Sequence, residues 1–279
     1  MSGATFSSRS LNTLLAGYGT PAPEAEVTGV VTDSRRVSAG DLFLACRGQG
    51  QQHGLAFLEQ ALERGAAAVA WEPAPGWSRP KVEVPEIAVE QLSRRAGEIA
   101  ARFFGEPTRH MYTVGITGTD GKTSTAHLLA QALEHLGEPC AYVGTLGIGR
   151  LGQLSEATHT TPDAVSLQRH LAQLHEQGVR AVAMEVSSHA LDQDRIAGVH
   201  LDVAVLTNVT RDHLDYHGTV ERYAAAKRRL FERVPASTAI LNRDDEYGAL
   251  WLAQLGNDAI AYGVEGVATD ARRHVIARR

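Results

Sequence analysis

The stretch that most restricts how this 279-residue chain can fold runs from Tyr112 to Ser124: Tyr-Thr-Val-Gly-Ile-Thr-Gly-Thr-Asp-Gly-Lys-Thr-Ser. An apolar, β-branched run reads as a strand, a glycine-rich turn follows, and Lys122-Thr123 opens a helical pattern. Glycines let backbone N–H groups close around phosphate oxygens. The helix N-terminus adds a positive dipole, the lysine a point charge, and the hydroxyl a hard oxygen for Mg²⁺. A nucleoside triphosphate is therefore the expected ligand. The spacing departs from G-x-x-x-x-G-K-[ST], because Ile116 stands where that pattern needs glycine, with Gly115 and Gly118 on either side. On pattern alone a second reading stays open, a glycine-rich turn with a surface lysine.

The length suffices for two domains, each with its own core. A hydrophobic share of 43%, a charged share of 21% and a net charge of -5 fit a globular chain that has neither nucleic acid nor membrane as its main partner. Arg272, Arg273, Arg278 and Arg279 read as a strand or solvated tail rather than a binding arm. Cys46 and Cys140 form neither a metal-ligand spacing nor a disulfide framework, which suits a reducing cytoplasm. Met1 to Ser10 lacks an apolar signal core, and no run approaches a membrane span.

Val27–Thr32, Asp41–Cys46, Ala66–Trp71 and Ile87–Val89 read as strands, and Ala56–Arg64 and Gln91–Phe104 as helices. These make a small α/β domain over residues 1–105. Gly105 to His110 reads as a linker. A second domain, residues 111–279, opens on the strand and loop above. Leu128, Leu129, Ala132, Leu133 and Leu136 then recur at helical spacing until Gly137 and Pro139. Strands are expected at Ala181–Val186, Val203–Asn208, Thr238–Asn242 and Ala259–Gly263. Helices at Val165–Glu176, Val220–Arg233 and Glu246–Leu255 separate them. The alternation predicts an α/β fold with a mostly parallel sheet covered on both faces. Ligands of such sheets sit beyond the carboxyl ends of strands. Three polar clusters fall there: residues 115–123, 185–189 and 208–213.

Glu185 ends an apolar strand. Beside a phosphate loop it is placed to hold Mg²⁺ with Thr123, or it is simply a strand-end carboxylate in water. By pattern alone His213, His189 and His217 each read more readily as hydrogen-bonded loop residues than as ligands. Thr160-Thr161-Pro162 reads as a turn and helix start. By pattern alone Lys227 is a solvated helix lysine.

Together these motifs make the chain resemble the Mur ligases. The likeness rests on Gly115-Ile-Thr-Gly-Thr-Asp-Gly-Lys-Thr123, Thr160-Thr161-Pro162, Glu185-Val-Ser-Ser-His-Ala-Leu191, Thr207 through Gly218, and Tyr223-Ala-Ala-Ala-Lys227. Thr32-Asp-Ser-Arg35 and Gly40-Asp-Leu-Phe43 add to it in the first domain. The members most resembled add the third residue of the peptidoglycan stem peptide. The resemblance implies ATP and Mg²⁺ as cofactors, with a uridine-nucleotide domain followed by a P-loop ATPase-like domain. It implies that Gly118, Thr119, Asp120, Gly121, Lys122, Thr123, Ser124 and Asn242 contact ATP. Thr123, Glu185, His213 and Lys227, the last as a carbamate, would hold metal. Lys122, Lys227 and His213 would serve catalysis. Thr32, Ser34, His159, Thr160, Thr161, Ser187, Gln193 and Arg195 would hold UDP-N-acetylmuramoyl-L-alanyl-D-glutamate. An acyl phosphate forms when the substrate carboxylate attacks the γ-phosphate, and an amine, expected to be that of meso-diaminopimelate, displaces phosphate.

Asp120 and His159 stand where the family usually has asparagine. The resemblance also implies a third, C-terminal domain with an Asp-Asn-Pro-Arg motif, and Asn-Pro occurs nowhere in this chain. The expectation is thus an incomplete ligase that binds nucleotide without finishing amide synthesis. Two alternatives remain at this stage: a folate polyglutamate-type ligase, against which the Asp33-Ser-Arg and Gly40-Asp-Leu-Phe motifs argue, and a non-catalytic nucleotide-binding module.

Overall fold

The apolar runs of the sequence form two sheets in a computed structural model that describes residues 6–18, 23–48, 52–156, 160–232, 236–255, 259–264 and 273–276. Contacts divide the chain into two units. One comprises Met1–Pro107, Ala164–Gln173 and Ala197–Val199; the other Thr108–Asp163, Leu174–Ile196 and His200–Arg279.

The first unit contains β1 (Arg9–Ser10), α1 (Leu11–Leu14), β2 (Glu26–Val27), β3 (Gly29–Val31), β4 (Asp41–Ala45), α2 (Leu58–Glu63), β5 (Ala68–Trp71), β6 (Glu86–Ala88) and α3 (Leu92–Phe103). β1 and β2 pair antiparallel, while β3-β4-β5-β6 form a fully parallel sheet. Such a sheet must be covered on both faces, which explains the unbroken apolar run Leu42-Phe43-Leu44-Ala45. Leu42 and Leu44 pack with Leu92, Ile99 and Phe103 of α3 on one face. Phe43 and Ala45 pack with Ala61 of α2 on the other. The period of two thus places one strand in two cores.

The second unit contains β7 (Tyr112–Thr117), α4 (Lys122–His135), β8 (Cys140–Gly144), β9 (Gly147–Arg150), α5 (Ala164–Glu176), β10 (Ala181–Glu185), α6 (Ser188–Asp192), β11 (Leu201–Leu206), α7 (Leu214–His217), α8 (Val220–Glu232), β12 (Ala236–Asn242), α9 (Glu246–Leu255), β13 (Ala259–Gly263) and β14 (Arg273–Ile276). The first ten residues of α5 count with the first unit. Among the described residues the sheet order is β14-β13-β12-β11-β7-β10-β8-β9, parallel except for the edge strand β9. The chain leaves β7 toward β8, returns to β10, then crosses to β11 on the other flank. That reversal opens a crevice at the carboxyl ends of β10, β7 and β11.

The expected α/β class and parallel sheet are borne out, and the expected bounds of β13 and α9 match the observed ones. The hairpin β8–β9 was not expected; its strands are short and carry Gly144, Gly147 and Gly149, which blur the strand signal. In α4 the sheet-facing residues are the small Ala126 and Ala130, with Leu129 and Leu133 half-buried. Leu128 and Leu136 are exposed despite their helical spacing. The segment read as a linker contains a 3₁₀ turn at Pro107–Arg109. Arg273 begins β14, whereas Arg272, Arg278 and Arg279 lie outside the described residues. No helix among the described residues is long and apolar enough to cross a membrane.

Candidate active site

β7 ends at Thr117 and α4 begins at Lys122, so Gly118 to Gly121 form the turn between them. Two of its glycines are required by the backbone. Gly121 caps α4 at φ +79°, and Gly118, at φ +154°, has no room for a side chain: a Cβ there would strike the Thr207 hydroxyl. The end of β11 braces the turn. Thr207 Oγ1 donates to the Asp120 carbonyl at 2.6 Å, and the Asp120 N–H donates to Asn208 Oδ1 at 3.0 Å. The Thr119 N–H donates to the Asn208 carbonyl at 2.8 Å. Asn242 joins through Thr207, donating from Nδ2 to its carbonyl at 2.8 Å. Asp120 is exposed, so its backbone does the bracing while its carboxylate stays solvated; Ser124 is exposed on the first turn of α4.

Two lysines converge on one carbonyl. Lys122 Nζ donates to Gly118 O at 2.9 Å and to Thr119 O at 2.8 Å. Lys227 Nζ donates to the same Gly118 O at 2.6 Å and stands 4.4 Å from the centre of the Tyr223 ring. Lys227 is 1% exposed, so the reading of it as a solvated helix lysine is wrong. α8 turns Tyr223, Ala224, Ala226, Lys227 and Leu230 inward together, and the small alanines leave space for the long side chain. Burial and, after it, the neighbouring Lys122 charge lower the Lys227 pKa to about 7. Burial lowers that of Lys122 as well, opposed by Glu185. Two ammonium groups on one buried oxygen disfavour each other, so the more buried one is driven toward a free amine, which is a nucleophile.

Glu185, fully buried at the end of β10, is the acidic counterpart. It accepts from Thr123 Oγ1 at 2.8 Å, from the Thr145 N–H at 2.9 Å and from the Tyr142 hydroxyl. The Tyr142 phenol is pushed well above its ordinary pKa by burial and by that bond to Glu185. Thr123 and Glu185 set two hard oxygens side by side at the phosphate loop, a donor set that suits Mg²⁺. Among the described residues no group of three or more His, Cys, Asp or Glu stands together as a metal cage. Mg²⁺ commonly takes only one or two protein ligands and completes its shell from water and phosphate, so the pair fits it.

His213 sits in the left-handed region at φ +50° and caps α7. Its ring lies 4.8 Å from that of His189 and 6.1 Å from that of Tyr223, with Nε2 3.5 Å from Asp212. His217 is buried, 3.1 Å from the Ser188 hydroxyl. Burial, then the proximity of the other imidazoles, holds His189 and His217 below the ordinary histidine range.

A third group lies at the end of β10. Thr161 Oγ1 donates to the Glu185 carbonyl at 3.0 Å, and Thr160 Oγ1 lies 3.2 Å from Thr145 Oγ1. Ser187 caps α6 by accepting from the Ala190 N–H at 3.1 Å. Arg195 donates to the Thr161 carbonyl at 2.9 Å and grips Gln193 Oε1. Gln193 in turn donates to the Tyr216 hydroxyl at 3.2 Å. His159 lies outside the described residues. In the first unit, Asp33 caps a short 3₁₀ turn, Thr32 precedes it half-buried, and Ser34 donates to Gln60 Oε1 at 2.6 Å.

The structure thus joins Gly118 to Thr123, Glu185, Lys227 and Asn242 by direct or one-step hydrogen bonds, and links Thr160, Thr161, Ser187, Gln193 and Arg195 at the neighbouring strand end. Sequence reasoning missed Tyr142 and Thr145, which lie on or after the unexpected strand β8, and gave no task to Thr207, Asn208 or Tyr223. The only available signal was that Thr207, Asn208 and Tyr223 fell within the quoted motifs.

Comparison with known proteins agrees with this geometry. The Mur ligase middle domain model matches residues 116–279, and the model for the Mur ligase family, catalytic domain, matches residues 26–104. The chain is 50% identical over 258 residues to the UDP-N-acetylmuramoyl-L-alanyl-D-glutamate--2,6-diaminopimelate ligase of Alkalilimnicola ehrlichii, covering 88% of this chain and 51% of that protein. It is 50% identical over 230 residues to the ligase of the same name from Pseudomonas aeruginosa, covering 81% and 47%. A solved structure of a ligase of that name superposes with a TM-score of 0.76 at 34% identity, over 87% of this chain and 50% of the other. The chain spans about half the length of the curated relatives it matches.

Proposed function

The chain belongs to the Mur ligase family, and from that premise we propose that it carries the nucleotide site of an ATP-dependent ligase of cytoplasmic peptidoglycan precursor synthesis. The reaction is the joining of meso-diaminopimelate to UDP-N-acetylmuramoyl-L-alanyl-D-glutamate through an acyl phosphate. The observation that carries this reading is the Thr123–Glu185 oxygen pair beside Lys122 and the braced glycine loop. Half-identity to ligases of that name supports the choice of substrates.

In this reading the N–H groups of Gly121, Lys122 and Thr123 at the start of α4 and the Lys122 ammonium bind the phosphates of ATP and offset the charge that gathers on the γ-phosphoryl group. Thr123 and Glu185 hold Mg²⁺, with His213 and Lys227 as further ligands; bound there, Mg²⁺ supplies charge neutralisation on the phosphate oxygens. Lys227 becomes a ligand by adding its neutral amine to CO₂, which forms an N–C bond and releases one proton. The product is an anionic carbamate in place of a cation. Asn242 fixes the nucleotide, Thr32 and Ser34 the uridine end of the substrate, and Thr160, Thr161, Ser187, Gln193 and Arg195 its dipeptide end. Residues 1–105 and 111–279 are the corresponding domains.

Calorimetric titration of the 279-residue chain with ADP, with and without Mg²⁺, tests the reading, together with ¹³C NMR under ¹³CO₂. Mg²⁺-dependent ADP binding and a carbamate resonance lost in Lys227→Ala are expected. Failure to bind ADP at millimolar concentration would remove the nucleotide site.

A further inference from the structure

Tyr223 lies one helical turn before Lys227 on α8, so the two side chains share a face. It is 1% exposed and its hydroxyl donates to Thr119 Oγ1 at 3.1 Å. Among the described residues that Thr119 hydroxyl is otherwise tied to one residue only: it accepts from the Thr210 N–H at 2.9 Å and lies 3.4 Å from the Thr210 carbonyl. The face of the same tyrosine carries the Lys227 amine at 4.4 Å, and that amine reaches Gly118 O. Two successive turns of α8 therefore grip two successive residues of the phosphate loop, Gly118 and Thr119, and the tyrosine ring is the wall against which the lysine is held.

We infer that Tyr223 is a positioning residue of the nucleotide site: its hydroxyl sets the Thr119 turn, and its ring fixes the Lys227 amine over Gly118. The inference rests on the proposed nucleotide-binding role of the loop. Its two halves are separable, because the hydroxyl acts on the loop and the ring acts on the lysine. Tyr223→Phe removes only the first; Tyr223→Leu removes both.

The test uses the 279-residue chain in two arms. In the first, ADP affinity with Mg²⁺ is measured for wild type, Tyr223→Phe, Thr119→Val and the double variant. Losing one neutral hydrogen bond predicts about a fivefold weakening in Tyr223→Phe, and Thr119→Val, which also loses the bond from the Thr210 N–H, should weaken binding at least as much. Because both remove the same bond, the double variant should be no weaker than the weaker single one. No weakening in Tyr223→Phe, or multiplied effects in the double variant, would overturn the loop half. In the second arm, acylation of Lys227 by acetic anhydride is followed by peptide mass spectrometry. Tyr223→Phe should label at the wild-type rate, and Tyr223→Leu more than about tenfold faster as the ring that covers the amine is lost. Equal labelling in Tyr223→Leu would overturn the lysine half. If Tyr223→Leu does not fold, as judged by circular dichroism, the first arm decides. A wild-type chain that binds no ADP refutes the nucleotide reading and the loop half with it, while the labelling arm still decides whether Tyr223 holds Lys227.

Discussion

Lys227→Met should make the protein more stable while removing its function. The Lys227 pKa falls from an ordinary 10.5 to about 7 in the fold, and each unit corresponds to about 1.4 kcal/mol. The folded value lies below the unfolded one. Between about pH 7 and about pH 10.5 the unfolded chain therefore binds the extra proton, and stability climbs with pH; below that window the full penalty is present. The amine thus costs the fold about 4 kcal/mol at pH 7 and about 2 kcal/mol at pH 9. Methionine nearly matches the volume of the lysine stem and carries no charge. Gly118 O keeps its bond from Lys122 at 2.9 Å, so the lost donor offsets only about 1 kcal/mol. Urea denaturation in CO₂-free, Mg²⁺-free buffer should show the variant more stable by about 3 kcal/mol at neutral pH, with the gap narrowing by about 2 kcal/mol between pH 7 and pH 9. A gap independent of pH, or a wild type that is the more stable at neutral pH, would refute the argument that burial strains this amine.

Gly118→Ala would drive a methyl group into the Thr207 hydroxyl at a positive φ, so ADP affinity should fall more than about tenfold; calorimetry with near wild-type affinity would contradict the packing described for the turn. Glu185→Gln should abolish the Mg²⁺ dependence of ADP binding while leaving affinity in EDTA within about twofold, because an amide at position 185 offers Mg²⁺ no charged oxygen beside Thr123. Tyr142→Phe removes one of the Glu185 donors and should weaken Mg²⁺-dependent ADP binding about fivefold, with Mg²⁺-free binding unchanged. Ser34→Ala should weaken binding of UDP-N-acetylmuramoyl-L-alanyl-D-glutamate about fivefold and leave ADP binding intact, read by the same titration.

Much of the strand and helix order could be read from periodicity, since β13 and α9 are bounded by clear changes of pattern. The hairpin β8–β9 could not, because its pairing is set by neighbours distant in sequence and its glycines weaken the local signal. Two of the partners of Glu185 were lost with it, since Tyr142 is placed by β8 and Thr145 follows directly, whereas Thr123 was already paired with Glu185 by the loop pattern. The loop glycines announced a tight turn because their positive φ and the close approach of Thr207 are matters of backbone shape, which sequence encodes locally. Lys227 did not, because the burial of one lysine depends on how α8 meets the sheet. Spacing along α4 likewise could not distinguish Ala126 and Ala130, which touch strands, from Leu128 and Leu136, which do not.

The strand order around β7 has a consequence for how the site can change. β10 stands on one side of the loop's parent strand and β11 on the other. Glu185, Thr161 and Ser187 belong to the β10 flank, whereas Thr207, Asn208 and, through β12, Asn242 belong to the β11 flank. On the proposed reading the site is handed: one bank would serve the metal and the carboxylate that is phosphorylated, the other the rest of the nucleotide. On that reading, substitutions on the β10 bank would retune which carboxylate is activated without disturbing the supports on the opposite bank. A family built on this sheet would then diversify its carboxylate substrates one side at a time while its energy source stays fixed.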